Sequence, residues 1–172
     1  LTADSFAAAK SSPLLEIFRT KGIEVLLLTD VVDNWLATSL AEFEGKPLQS
    51  VAKGDLDLAK LADAQEQEEQ QKAAEEYKAM VERIKSALGE RVKAVRVTTR
   101  LTTSPACLVA DEHALDASFI RVLKASGQTV PASQPILEVN PRHPLLARLS
   151  QEADEGRFAD WSHILFDQAV LS

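Results

Sequence analysis

The stretch VKAVRVTTRLTTSPACLVADE, residues 92–112, indicates most directly how this chain folds. Its first half alternates with the period of a half-exposed β-strand. One side carries Val95, Val97, Thr99 and Leu101, and the other carries Ala94, Arg96, Thr98 and Arg100. The polar TTSP segment favours a turn, and ACLVA is short and apolar enough for a second strand. The sequence therefore predicts two strands joined by a polar connection.

Helix and strand signals continue to alternate after this stretch. Residues 111–127 have helical periodicity, and Gly127 can end that helix. ILEV, residues 136–139, is a further apolar strand, and Pro144 is placed to begin the next helix. The chain closes on a helix over residues 155–172. This half of the chain is predicted to be a mixed α/β domain.

Residues 1 to about 58 show the same alternation on a smaller scale. Ser12 and Pro13 favour a helix start, and Gly22 favours a helix end. The apolar run IEVLLL, residues 23–28, predicts a strand covered on both faces. A helix over residues 30–45 and a second strand at LQSVA, residues 48–52, are expected to follow. Together they predict a small three-layer α/β/α segment with a right-handed crossover.

The segment between these halves is acidic and prone to form a helix. Residues 63–76 contain six acids and one lysine with almost no large apolar residue, so we expect a solvated and mobile stretch. From Tyr77 an apolar face returns at helical spacing, which predicts a docked helix to Leu88. Only about two heptads are visible, which disfavours a coiled coil. The fold class is therefore α/β in the broad α+β sense, with a long helical stretch joining two folded segments.

Charge and composition exclude several classes of function. The net charge of −7 disfavours a nucleic-acid partner, because phosphate binding needs a basic surface. No apolar run approaches the roughly 20 residues that span a bilayer, and the first residues do not resemble a secretion signal, so no membrane partner is expected. Cys107 is the single cysteine, which excludes an internal disulfide and fits a reducing compartment. Its strand context predicts a buried apolar role.

The run KGIEVLLLTD, residues 21–30, raises the question of a nucleotide-bound metal, because it ends on the carboxylate of Asp30. None of the six glycines begins a phosphate-binding loop, so an N-cap role for Asp30 is favoured, with Asp33 in the first helical turn. The three histidines are too far apart for a metal site, no serine lies in a nucleophile elbow, and Cys107 lacks an activating helix end. No catalytic, cofactor-binding or metal-binding residue is predicted. A metal-dependent phosphoryl-transfer enzyme using Asp30 and a helical scaffold or adaptor remain as alternatives.

Two helices carry marked apolar surface, and for the first of them simple core packing is an open alternative to contact with another protein. The helix over residues 112–126 has an apolar stripe of Leu115, Phe119, Val122 and Leu123. The last helix is apolar around most of its axis, at Phe158, Trp161, Ile164, Leu165, Phe166, Ala169, Val170 and Leu171. Such a helix is either buried on several sides or shared with a partner. The residues alone therefore indicate a two-part α/β protein that binds other proteins.

Four blocks of the sequence carry a resemblance that covers essentially the whole chain. They are SSPLLEIFRTKGIEVLLLTDVVDNW, EFEGKPLQSVAKGDLDL, LGERVKAVRVTTRLTTSPACLVAD and LEVNPRHPLL. In order and spacing they resemble the ninety-kilodalton heat-shock chaperone family, in its bacterial high-temperature protein G branch. The segments RLTTSPACLV and NPRHPLL are the most specific parts of the match.

The resemblance implies that the chain is a fragment of an ATP-dependent chaperone that assists protein folding under stress. Residues 1–58 are similar to the distal part of the family's middle domain, and residues 59–76 correspond to an acidic connection. Residues 77–172 resemble the C-terminal dimerisation and client-binding domain without its final helix. The family's ATP pocket lies in an N-terminal domain outside these residues. ATP and magnesium are therefore expected in the parent only, and this chain is expected to have no cofactor and no enzymatic activity.

The resemblance also implies partners and contact residues. Unfolded or partly folded client proteins are expected to contact Leu115, Phe119, Val122, Leu123 and Trp35. A homodimer is expected to form through the last helix, by way of Phe158, Trp161, Ile164, Leu165 and Ala169. The expected location is the cytoplasm.

Overall fold

A computed structural model of the chain describes residues 1–30, 32–33, 36, 39–54, 64–111, 127 and 134–172. The larger sheet among them has strands β3 (Ala94–Val97), β4 (Ala106–Val109) and β5 (Ile136–Val139), in the order β3–β5–β4. The central strand, β5, runs parallel to β3 and antiparallel to β4, and all four of its residues are buried. The two strands predicted within residues 92–112 and the strand predicted at ILEV are confirmed.

Two helices cover one face of this sheet. They are α4 (Lys78–Leu88) and α6 (Glu155–Val170), and the short helix α5 (Pro144–Ser150) lies between β5 and α6 in the chain. The core that they enclose contains Ile84, Leu88, Val92, Leu137, Leu146, Phe158 and Leu165. Pro144 begins α5 as predicted, and the ring of His143 caps that helix by accepting from the Leu145 N–H at 3.2 Å.

The first residues form a second, smaller core. Helix α1 (Phe6–Ser11) leads through a 3₁₀ turn at Pro13–Leu15 into helix α2 (Glu16–Lys21). The Ser12 hydroxyl caps the turn, and Gly22 ends α2 with φ of 65°, a left-handed conformation that favours glycine. The buried residues here are Leu15, Ile17, Phe18 and Val51. The helix predicted between Ser12 and Gly22 is confirmed, with its first turn in 3₁₀ form.

The strand predicted at residues 23–28 is not covered on both faces. Ile23 is 39% exposed and Leu26 is 67% exposed. Within the described residues the run pairs by one parallel bridge between Thr2 and Leu28, supported by hydrogen bonds of 3.0 Å from Ala3 and 2.8 Å to Leu1. The expectation of a two-sided buried strand is therefore wrong here, because a single neighbouring segment covers one edge of the run.

The helix predicted over residues 30–45 ends earlier than expected. Helical hydrogen bonds join Leu36 to Val32 and Leu40 to Leu36, at 3.1 and 2.8 Å. After them, β1 (Glu42–Phe43) and β2 (Lys46–Pro47) form an antiparallel hairpin. Its two turn residues, Glu44 and Gly45, have φ of 50° and 74°, the signature of a type I′ turn. Gly45 therefore turns a hairpin and does not end a helix, so this part of the prediction is wrong.

The strand predicted at residues 48–52 does not form, so this prediction is wrong; within the described residues an isolated parallel bridge between Lys53 and Ala110 follows that run instead. The Ala110 N–H donates to the Ala52 carbonyl at 2.9 Å, and the Gly54 N–H donates to the Ala110 carbonyl at 2.9 Å. These bonds place residues 52–54 beside the end of β4. The first part of the chain is thereby attached to the larger sheet.

The acidic segment is a helix, α3 (Ala64–Glu76), which meets α4 at a break in regular geometry at Tyr77. Most of α3 is exposed, as predicted, and its half-buried residues include Glu66, Gln70 and Ala73. Ion pairs attach it on two sides, from Lys21 to Glu66 at 2.6 Å and from Arg142 to Glu69. The expected mobility of this segment stays a prediction. Among the described helices, none combines the length and apolar character needed to cross a bilayer.

Candidate functional site

Helix α6 presents an apolar stripe to solvent. Trp161 is 46% exposed, Ile164 is 55% exposed and Leu171, which caps the helix, is 88% exposed. Their spacing of three and seven residues puts them on one side of the helix. We call these three residues the α6 stripe. Exposed large apolar residues grouped on one side of a helix are suited to a protein–protein contact.

The adjoining side of α6 packs firmly against the chain's own core. Phe158 and Leu165 are each 1% exposed and Ala169 is 6% exposed. Arg83 lies over the Phe158 ring, with 3.8 Å from its guanidinium carbon to the ring centroid, and Arg91 lies over Phe166 at 4.3 Å. These contacts set the rotation of α6, so that the α6 stripe faces outward.

The five residues expected in a homodimer contact therefore fall into two groups. Trp161 and Ile164 are available to a second chain, whereas Phe158, Leu165 and Ala169 are buried within this one. The helix is apolar on most sides because one face packs internally and a neighbouring face is left open. The dimer contact itself stays a prediction.

A buried charge cluster lies on the other side of β5. It consists of Arg96, Arg100 and Glu138. Arg100 is 0% exposed and donates from Nε to Glu138 Oε2 at 3.0 Å, while Arg96 donates from Nη2 to Glu138 Oε1 at 2.6 Å. Both oxygens of the Glu138 carboxylate are thus neutralised by guanidinium groups, which is the condition for burying such a charge.

The same arginines also hold the first part of the chain. Arg100 donates from Nη1 to the Val51 carbonyl at 2.6 Å and from Nη2 to the Lys53 carbonyl at 3.3 Å. Arg96 donates to the Gly54 carbonyl at 2.5 Å. Because the Val51 side chain belongs to the small core of α2, the buried charge cluster joins that core to the larger sheet.

A second joint connects the same two parts through Glu16, the first residue of α2. Its carboxylate accepts from the backbone N–H groups of Thr102, Thr103 and Ser104, at 2.6, 2.8 and 3.1 Å. The hydroxyls of the same three residues also donate to it, the shortest being Ser104 Oγ at 2.5 Å. We call residues 102–104 the TTS loop. Burial alone raises the pKa of Glu16, but the hydrogen bonds from Ser104, Thr103 and Thr102 outweigh it and lower the pKa from 4.5 to about 2.

This joint predicts an acid-sensitive contribution to stability. Since the folded pKa of Glu16 is depressed, its contribution is complete above about pH 4.5 and is lost as pH falls toward about 2. Between these limits the unfolding free energy of Glu16→Gln should decrease less than that of the wild type. The difference should be on the order of 1 kcal/mol after allowing for solvent screening. Urea midpoints measured across this pH range check the prediction. Glu24→Gln, at an exposed carboxylate, is the control, and parallel profiles for the two variants would contradict the assignment.

A cleft of about 210 Å³ lies between α2, α3 and the carboxyl ends of the parallel strands β3 and β5. More of its lining surface is apolar than polar, and hydroxyl and amide groups contribute to the polar part, from Thr20, Thr98, Thr99, Thr102, Gln70 and Asn140. The ion pairs Lys21–Glu66 and Arg142–Glu69 include residues of its wall.

The residues considered for catalysis, Asp30 and Cys107, make contacts that stabilise the fold. The Asp30 N–H donates to Asp33 Oδ2 at 2.9 Å, and the Asp33 N–H donates to the Asp30 carbonyl at 3.0 Å. This reciprocal pair resembles a capping box, with the side-chain contact supplied by Asp33. Cys107 is 2% exposed, and burial raises the pKa of its thiol. In the described part of the chain, no group of three or more histidine, cysteine or acidic residues could hold a metal ion.

The residues expected to contact client proteins lie outside the described residues. They are Leu115, Phe119, Val122, Leu123 and Trp35.

The sequence patterns used above predict neither the buried charge cluster nor the role of Glu16. One signal for the cluster does exist, because Glu138 interrupts an apolar strand, and a carboxylate in a buried strand requires a buried cation. For Glu16 no local signal exists, since its partners are 86 to 88 residues away in the chain.

The whole chain, residues 1–172, matches the protein family described as Hsp90 protein. Over all 172 residues it is similar to proteins named Chaperone protein HtpG, with 62% identity in Aromatoleum aromaticum, 61% in Nitrosospira multiformis and 58% in Nitrosococcus oceani. Each alignment covers 100% of this chain and 26% or 27% of the relative. The chain therefore spans about a quarter of the length of the curated relatives it matches.

Proposed function

This chain belongs to the Hsp90 protein family, and from that premise we propose that it is the dimerising and client-binding part of a longer, cytoplasmic, ATP-dependent chaperone. In this proposal residues 1–58 are the distal part of a middle domain, and residues 77–172 are the C-terminal domain. ATP and magnesium act in another part of the longer protein, and this chain neither binds nor hydrolyses ATP.

The observation that carries the proposal is the α6 stripe. Trp161, Ile164 and Leu171 are exposed on a helix whose adjoining face is buried in the core. A two-fold contact between copies of α6 would cover this surface with itself, as is usual for homodimers. Two chains joined in this way can also present client-binding surfaces on both sides of one cleft.

Client binding is proposed for the apolar stripe of residues 112–126 together with Trp35. We expect the 172-residue chain to suppress the aggregation of citrate synthase diluted from guanidinium chloride, measured by light scattering. Phe119→Ala and Trp35→Ala should each raise the concentration needed for half-suppression about fivefold, which corresponds to about 1 kcal/mol of contact energy. Unfolding free energies should change by less than about 0.5 kcal/mol if these side chains are exposed.

Phe6→Ala is the matched control, because Phe6 is a 61% exposed aromatic residue on α1 with no proposed client role. An equal effect of all three substitutions would point to general surface hydrophobicity and would contradict the assignment. Magnesium-dependent hydrolysis of a phosphate ester that disappears in Asp30→Asn would instead favour the enzymatic alternative.

A further inference from the structure

The TTS loop has the features of a receptor for a small oxyanion. We propose that residues 102–104 form a binding site for a carboxylate or phosphate group, and that Glu16 fills this site from within the chain. An external oxyanion and Glu16 would then exclude one another. Occupation by the external group would open the joint between α2 and the larger sheet.

The donor geometry supports this assignment. Three consecutive backbone N–H groups and three hydroxyls converge on the two oxygens of one carboxylate, at distances between 2.5 and 3.3 Å. All six donors are neutral. Consecutive amides that point into one concavity form an anion-binding nest, the arrangement that proteins use for phosphate groups. Added hydroxyl donors extend the hydrogen bonding to both oxygens.

The loop is held in place by contacts that do not involve Glu16. On one side Leu101 is 5% exposed in the cluster that also contains Cys107 and Val109. On the other, Asn140 donates from Nδ2 to the Ser104 carbonyl at 3.1 Å and from its backbone N–H to the Pro105 carbonyl at 2.8 Å. Removing the Glu16 carboxylate should therefore leave the six donors in position without their acceptor. The loop with another acceptor bound should then be more stable than the loop without one.

Access to the site also fits an external ligand. Thr102 and Thr103 are exposed and Ser104 is half-buried, so an oxyanion can reach the loop from solvent. Glu16 lies at the start of α2, between Leu15 and Ile17 of the smaller core, whereas the TTS loop connects β3 and β4 of the larger sheet. Any separation of these two parts withdraws Glu16 and leaves the loop open.

The test is chemical rescue of Glu16→Ala by inorganic phosphate. Thermal unfolding is followed while phosphate rises to about 50 mM, with sodium chloride lowered to keep the ionic strength constant. The melting temperature of Glu16→Ala should rise by about 3–5 °C when phosphate reaches ten times its Kd. Wild-type protein and Glu24→Ala should both show a markedly smaller rise. Acetate in a parallel series distinguishes a site for carboxylates from one for phosphate alone.

A second variant locates the effect. Glu16→Ala combined with Ser104→Ala removes the hydroxyl with the shortest contact and should weaken the phosphate response at least threefold. If Glu16→Ala does not fold alone, phosphate should restore its folding, and the neutral Glu16→Gln should serve in the same titration. Equal phosphate responses in Glu16→Ala and Glu24→Ala, or no restoration of folding, would overturn the proposal.

Discussion

We expect Trp161→Ala to raise the dissociation constant of the proposed homodimer about 30- to 150-fold. Trp161 is already 54% covered by its own chain, since it is 46% exposed, and a partner can bury only the remainder. That remainder is worth about 1–1.5 kcal/mol at the usual coefficient for apolar surface. In a two-fold contact the loss occurs in both subunits, so the total is about 2–3 kcal/mol, which gives the stated change.

Sedimentation across a hundredfold range of concentration measures this effect. Val170→Ala is the matched control, because Val170 is 55% exposed on α6 but lies on a different side from the α6 stripe. It should change the dissociation constant by less than about threefold, equivalent to some 0.7 kcal/mol. A wild-type chain that stays monomeric throughout, or equal effects of the two substitutions, would contradict the proposed contact.

Leu165→Ala is expected to act differently from Trp161→Ala. The family resemblance implies that both residues lie in one dimer contact, but Leu165 is 1% exposed and packs in the core with Phe158 and Leu137. Its truncation should lower the free energy of unfolding by about 2–5 kcal/mol through the cavity that it leaves. Any loss of dimer in this variant would follow from the weakened fold, which a thermal melt of the same sample detects.

Local signals explain why the sequence predicts some elements correctly. The strands around the TTS loop follow from period-two alternation and a polar turn, and α5 begins at Pro144 because proline fits the first turn of a helix. The run at residues 23–28 has equally strong strand composition, yet it makes a single bridge. Whether an apolar run becomes a covered strand depends on neighbours that its own residues do not specify.

The hairpin at residues 42–47 shows the opposite limitation. Phe43 continues the helical spacing of the residues before it, but the Glu44–Gly45 pair adopts positive φ at both positions and reverses the chain. Asparagine or aspartate before glycine is the usual signal for this turn, and glutamate is not. The helical spacing of Phe43 therefore does not decide the local structure, because the two turn residues reverse the chain.

The candidate sites depend even more on distant residues. Alternation within residues 92–101 puts Arg100 on the exposed side of a strand, but β3 ends at Val97 and Arg100 is completely buried. What draws it inward is Glu138, 38 residues further along the chain. For helix α6, by contrast, the local sequence predicts an exposed apolar surface, because the helix has more apolar residues than one face can bury.

The buried charge cluster provides the other large prediction. Glu138→Ala should lower the free energy of unfolding by about 3–5 kcal/mol, because it leaves the Arg100 guanidinium buried without a counter-charge. When Arg96 loses its ion pair with Glu138, its guanidinium group can turn toward water, since the side chain is 44% exposed. Arg100 cannot, because its side chain is 0% exposed and two carbonyl groups hold it in place.

A double replacement separates the charge effect from the joint that Arg100 makes. Arg100→Met with Glu138→Leu removes both charges and fills similar volume, a change that is often neutral for a buried ion pair. Here the Val51 carbonyl would also lose the Arg100 donor, at about 1–3 kcal/mol for a buried group left unpaired. The double variant should therefore be more stable than Glu138→Ala but less stable than wild type.

Urea unfolding of the two single variants, Arg100→Met and Glu138→Leu, and of the double variant completes a thermodynamic cycle. We expect the sum of the two single losses in unfolding free energy to exceed the loss in the double variant by at least about 2 kcal/mol. The reason is that either single change leaves one buried charge without its partner. Arg157→Ala serves as the reference for an exposed pair, since Arg157 bonds to Glu152 with its side chain 69% exposed, and it should cost no more than about 0.5 kcal/mol. Additive losses in the cycle would mean that Arg100 and Glu138 do not depend on each other.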